Sequence, residues 1–123
     1  MRLATPTVVE LLHRADFPHL RVTSNRANAA RLARFLHRPE LAMNAADEDA
    51  IFEPPLRDPR RSPLFATRFS SVKAAKRADA AGRPYAQRQE RVCNVVLSSF
   101  DSGRDPTLAV RVDRAVNLLR NAC

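Results

Sequence analysis

The sequence predicts an all-α fold: four or five amphipathic helices in one small domain, interrupted by a proline-rich extended arm. Three observations predict it. Glycine is almost absent, with Gly82 and Gly103 alone in 123 residues. The nine prolines stand as punctuation, where they start or stop helices. Apolar residues recur at the three- and four-residue spacing of a helix face through most of the chain. A chain of this length makes one domain.

Thr5-Pro6 opens the first helix, with Thr as cap and Pro where its missing N–H is harmless. Val8, Leu11, Leu12 and Ala15 share one face, and Pro18 ends the element. A second helix spans residues 24–38 and stops at Pro39. On a wheel of ~100° per residue, Ala29, Leu32, Ala33 and Leu36 form its core face, and Arg31, Arg34 and Arg38 form a narrow basic stripe opposite. Phe35 is the exception, nearer the arginines than the core.

Residues 40–53 hold five acids and no base. Asn44 is placed to cap a short helix whose first turn carries Asp47, Glu48 and Asp49, as the helix dipole favours. Residues 53–63 contain four prolines and read as an extended arm lying on a partner or on the domain surface. Ser62-Pro63 opens a third long helix ending at Gly82, with Phe65, Phe69 and Val72 burying its first half. Its second half has no large apolar residue and is expected to project.

Pro84 starts a fourth helix with a broad stripe of Tyr85, Val92, Cys93, Val96, Leu97 and Phe100. Asp105-Pro106 caps the last one, packed through Leu108, Val112, Ala115 and Leu119. A β-hairpin competes over residues 92–112, because Val92–Leu97 is β-branched and Leu108, Val110 and Val112 also alternate; its turn would fall at residues 100–105. The longer helical stripe, which takes in Ala115, Val116 and Leu119, favours helix. The expected pairing is Val112, Ala115 and Leu119 against Val92, Val96 and Phe100.

Charge is sorted into blocks that add to a net +8. Residues 1–39 carry seven Arg against two acids, and residues 57–91 carry ten bases against three acids. Lys73 and Lys76 are the only lysines. Arg stays charged everywhere and forks onto carboxylate or phosphate, so this surface points to polyanion or protein partners. The candidate contacts are Arg31, Arg34 and Arg38; Arg57, Arg60 and Arg61 on the arm; and Arg68, Lys73, Lys76 and Arg77.

Catalytic patterns are missing. Isolated glycines exclude a P-loop or dinucleotide fold. No G-x-S-x-G, H-E-x-x-H or C-x-x-C occurs. His13, His19 and His37 are scattered, and Asp47, Glu48 and Asp49 are consecutive, so they diverge around a helix and cannot converge on an ion. No catalytic residue, cofactor or metal is expected. Cys93 reads as a small core residue and Cys123 as an incidental end, in a reduced, intracellular protein.

The core residues are mostly Ala, Val and Leu with no Trp, which makes a thin core and little autonomous stability. The expected role is a non-enzymatic accessory subunit of a large assembly, touching other protein subunits. Arg density tips the reading toward a ribonucleoprotein such as an organellar ribosome, with RNA phosphate as partner. The alternative is a peripheral accessory subunit of a respiratory or other membrane-bound complex, against a membrane surface but with no apolar run long enough to cross it. A free-standing DNA-binding regulator comes third. The first forty residues share the composition of an organellar transit peptide, and we read them as a basic helical start of the mature fold, with an organellar (mitochondrial) location expected.

Overall fold

The computed structural model describes residues 2–43, 45–54, 60, 62–82, 88–101 and 103–123. Its centre is a five-stranded antiparallel sheet, so the all-α expectation, and the description of the chain as helical, are overturned. The elements run α1 (Thr5–Arg14), β1 (Arg21–Ser24), α2 (Asn25–Leu36), α3 (Glu40–Met43), β2 (Glu48–Phe52), β3 (Leu64–Phe69), α4 (Val72–Gly82), β4 (Arg88–Val92), β5 (Val95–Ser99) and α5 (Leu108–Ala122). Strand order across the sheet is β1-β2-β3-β5-β4. Since β3 and β4 each pair antiparallel with β5, they run parallel to one another on either side of it, joined through α4.

The register decides which side chains share a face, because residues directly opposite in an antiparallel pair project to the same side. Ile51, Ala66 and Leu97 are in line across β2, β3 and β5, flanked by Leu64 and Val95. This face is covered by α1 and α5, which supply Val8, Leu11, Leu12, Leu108, Val112, Ala115 and Leu119 to one core. Phe17, fully buried, joins them just after α1. Burying a side chain of that size contributes about 1.5–3 kcal/mol. The opposite face carries Phe52, Phe65, Thr67, Val96 and Gln89. Here α4 packs, with Ala75 and Asp79 buried and Gln89 Nε2 donating to Asp79 Oδ1 (2.8 Å) and to its carbonyl (2.6 Å).

Several sequence expectations move accordingly. Residues 64–69 are a strand, and helix begins only at Val72; Phe65, expected in the core, is exposed. The acidic block is part strand: Glu40 opens the short α3, while Glu48 and Asp49 lie in β2, whose ladder to β3 replaces the helix that Asn44 was to cap. Asn44 itself lies outside the described residues. The expected fourth helix is the hairpin β4–β5 from Arg88 onward; its start, 83–87, lies outside the described residues. The hairpin turns at Cys93-Asn94, not at 100–105, and Leu108–Val112 is helical. The predicted packing of α5 on residues 92–100 holds for Val92, whereas Val96 faces the other side and Phe100 is half exposed.

Two polar devices tie the layers. Asn94, fully buried in the hairpin turn, accepts from Leu3 N–H (2.7 Å) and donates to the carbonyls of Leu3 (3.0 Å) and Phe69 (2.8 Å). Asp105 accepts from Arg111 (2.7 Å), from the Ser62 N–H (2.8 Å) and from the Thr107 hydroxyl (2.7 Å). Arg111 also donates to the Asp16 carbonyl and stacks on Phe17, 4.6 Å from ring centre. Cys93 and Cys123, expected as separate thiols, form a disulfide across a Cα–Cα distance of 6.3 Å, joining the hairpin turn to the end of α5.

Candidate interaction surface

Helix α2 forms where the sequence places it. The Ser24 hydroxyl caps it by accepting from the Ala27 N–H (3.2 Å). It ends in a Schellman turn: His37 adopts the left-handed region (φ 54°) and the Arg38 N–H returns to the Ala33 carbonyl (2.9 Å). The chain then folds back as α3 against α2. The helix touches β1 and β2 at the edge of the sheet.

Its faces are not used as the wheel predicts. Of the expected core face, only Ala33 is buried. Leu32 and Leu36 are 49% and 45% exposed, Phe35 is 81% exposed, and Met43 at the end of α3 is 82% exposed. The short β1 gives α2 too little sheet to sit on, so its large side chains face outward. Ala30, Ala33, Pro39 and Ala42 instead line a shallow, widely open depression between α2 and α3, with exposed Arg34 and His37 at its rim. A second recess of about 340 Å³ is lined by Asn25, Asn28, Ala29, Leu32, Leu41 and Ala45.

The predicted basic contacts separate into four sets. Arg31, Arg34 and Arg38 are all exposed on this surface. Arg31 donates to the Asn28 side-chain oxygen, and Arg38 pairs with Glu40 (2.7 Å), a hydrogen bond that holds the Glu40 carboxyl below its ordinary range. Lys73, Lys76 and Arg77 are exposed together on α4 at i, i+3, i+4 spacing, away from the buried Ala75 and Asp79. Arg60 is exposed in a turn, while Arg57 and Arg61 lie outside the described residues.

Arg68 is different. Its side chain is only 13% exposed and pairs with Asp49 (3.0 Å) and Asp47 (3.2 Å), while its Nε donates to the Thr5 hydroxyl (2.8 Å). That hydroxyl donates in turn to Asp49. Thr5 thus links α1 to the sheet rather than capping its own helix; Ala4 occupies the N-cap. Burial raises the Asp49 pKa, but the hydrogen bonds from Thr5 and Arg68 and the charge of Arg68 outweigh it, and the net shift is downward. Arg68 therefore serves inside the fold.

Sequence reasoning missed Leu32, Leu36 and Met43 as surface residues. The available signal was Phe35, which fits no core face on the wheel and falls among the arginines. Among the described residues no group of three or more His, Cys, Asp or Glu is arranged to hold a metal ion, and no helix is long and apolar enough to cross a membrane. Comparison of the chain with protein-family models, curated proteins and solved structures returned no significant match.

Proposed function

We propose that this chain is a non-catalytic accessory subunit of a larger assembly, docked through the α2–α3 surface. The observation that carries the reading is that a 12-residue helix buries one residue, Ala33, while Leu32, Phe35 and Leu36 face solvent. Apolar clusters of this kind mark interaction sites, since monomeric surfaces rarely gather them. Within that class, Lys73, Lys76 and Arg77 on α4 form a second basic face, with no large apolar residue on the helix after Val72. This supports a ribonucleoprotein setting such as an organellar ribosome, in which α4 meets RNA phosphates and α2–α3 meets protein. The exposed apolar residues of α2–α3 equally suit a peripheral subunit of a membrane-bound complex.

The test is nuclease treatment of a native lysate followed by a size measurement. The chain is expected in a particle far larger than its own 13.8 kDa. Disassembly by nuclease indicates the ribonucleoprotein, and resistance indicates the protein complex. A chain that runs alone in untreated lysate defeats the subunit reading.

A further inference from the structure

We infer that the open strip of the sheet's far face, over β2 and β3 between α2 and α4, is a stacking platform for unpaired RNA bases, centred on Phe65. The inference rests on the ribonucleoprotein reading and names the part of the RNA that this chain holds.

Strand pairing builds the platform. Arg21, Phe52, Phe65 and Ser98 stand directly opposite one another across β1, β2, β3 and β5, so they form one row on one face. The Glu53 N–H bonds to the Leu64 carbonyl (3.1 Å), which makes the next pair, Phe52–Phe65, the non-hydrogen-bonded kind. Side chains of such a pair stand closest, with Cβ atoms about 4.5–5.5 Å apart. Phe65 is 45% exposed, Phe52 is half-buried at its side, and Arg21 is exposed at the end of the row. A helical reading of residues 63–82 buries Phe65; the strand offers its ring to solvent.

The adjoining row on the same face is small and polar. It runs Thr23, Ala50 and Thr67 across β1, β2 and β3. Ala50 is exposed although its strand is interior to the sheet. The helices explain this: α2 packs at β1 and β2, and α4 packs over β3, β5 and β4, leaving a gap between them. The open recess in that gap is lined by Thr23, Thr67 and Glu48 of the sheet and by Asn25 and Asn28 of α2.

Chemistry selects the occupant. An exposed phenyl ring in one row with a guanidinium is what a splayed-out base stacks on, whatever its identity. The hydroxyls and amides of the recess donate and accept, as base edges and ribose 2′-hydroxyls require. The Glu48 carboxylate keeps phosphate out of the recess and accepts instead from a base amino group. A protein partner is matched by a continuous apolar surface, whereas these two rings are bordered by Arg21, Ser98, Thr23 and Thr67. A duplex keeps its bases stacked inside and has none to lay on the ring. The phosphates of the strand are met by Arg21 and by Lys73, Lys76 and Arg77 of α4, in a chain of net charge +8.

The experiment measures, by fluorescence anisotropy, binding of the full chain to labelled oligouridylate and oligocytidylate of about ten nucleotides and to an RNA duplex of the same length. Both single strands should bind more tightly than the duplex. F65L, which keeps the apolar bulk and removes the π face, should weaken single-strand binding about fivefold or more, with salt slope and melting temperature unchanged. F65W should restore it. R21Q should weaken it and lower the salt slope by about one counterion. Irradiating a bound strand that carries 5-iodouridine should give an adduct on the peptide containing Phe65. Absence of single-strand binding, which leaves this face to a protein partner, overturns the inference. So do equal affinity for the duplex, indifference to F65L, or an adduct confined to α4. If nuclease disassembles the native particle while F65L binds like the parent chain, the ribonucleoprotein reading stands and the platform falls. If the particle resists nuclease and no strand binds, both fall.

Discussion

Arg111 shows what an arginine does when the fold takes it inside. Its guanidinium and the Asp105 carboxylate are 3% and 2% exposed, and the hydroxyl of Thr107, the carbonyl of Asp16 and the ring of Phe17 complete its surroundings. Such a pair is weak evidence for net stability, yet losing one partner strands the other's charge. Arg111→Ala should therefore lower the free energy of urea unfolding by about 3–5 kcal/mol. Replacing Asp105 and Arg111 together with apolar residues should recover only part, since Asp105 also accepts from Ser62 and Thr107. The pH dependence has a definite sign. Burial raises the Asp105 pKa, but hydrogen bonds from Ser62 and Thr107 and the charge of Arg111 outweigh it, and the folded pKa is lowered. The unfolded carboxyl titrates near 3.9. Between the folded pKa and about 4 the unfolded chain binds more protons, so stability present above about pH 4 is lost as pH falls through the folded pKa. Urea midpoints should drop below about pH 4, and Asp105→Asn should flatten that drop.

At the scale of elements, turns carry the strain. Asp16, His37 and Cys93 all hold positive φ without being glycine. An L-residue in the left-handed region costs about 1–2 kcal/mol, and glycine's extra unfolded freedom returns about 0.5–1 of it. His37→Gly should thus stabilise the chain by about 0.5–1 kcal/mol, read as a higher thermal midpoint. A result in the other direction would mean that the imidazole makes a contact worth more than the strain. The disulfide works on larger pieces. It closes a loop of 30 residues that contains β5 and all of α5. Chain-entropy arguments give about 3–4 kcal/mol for a loop of that length. Reduction, or Cys93→Ser with Cys123→Ser, should lower the unfolding free energy by about that amount without changing far-ultraviolet circular dichroism at neutral pH.

For the whole molecule, one sheet face is filled and the other is only partly covered. The face under α1 and α5 holds the continuous core, whereas Phe65 on the far face remains 45% exposed. The isolated chain should melt cooperatively but below about 65 °C, the upper end of the mesophile range, checked by calorimetry of the oxidised monomer. The positive charge is likewise divided. Arg68 and Arg111 are used internally, and the outward charge on α4 is free to meet a polyanion. If RNA is that polyanion, Lys73→Gln, Lys76→Gln and Arg77→Gln together should reduce the salt slope of binding by about two to three counterions. An unchanged slope would move RNA off this face and favour the protein-complex reading.

The sequence by itself determined the helices that are long enough to show their period. Val8, Leu11 and Leu12 predict the buried face of α1, and Leu108, Val112, Ala115 and Leu119 predict that of α5. Ser24 and Gly82 mark real boundaries, and the outward arginines of α2 follow from the same wheel; the last helix starts later than Asp105-Pro106 suggests, at Leu108 with Thr107 as N-cap. The sheet was not legible because each strand is four to six residues long, shorter than the window in which a two-residue period separates from a helical one. Val95, Val96 and Leu97 are all buried because β5 is an interior strand, paired with β3 and β4 and covered on both faces, so no alternation survives to be read. Only the tertiary structure decided that Arg68 belongs to the interior, that Cys93 meets Cys123, and that the apolar side of α2 stays outside. Each depends on pairings between distant segments: β2 brings Asp49 to Arg68, α5 returns to the hairpin turn, and β1 leaves α2 short of sheet. Periodicity along a helix says which side is apolar, and the neighbours supplied by the rest of the fold say whether anything covers it.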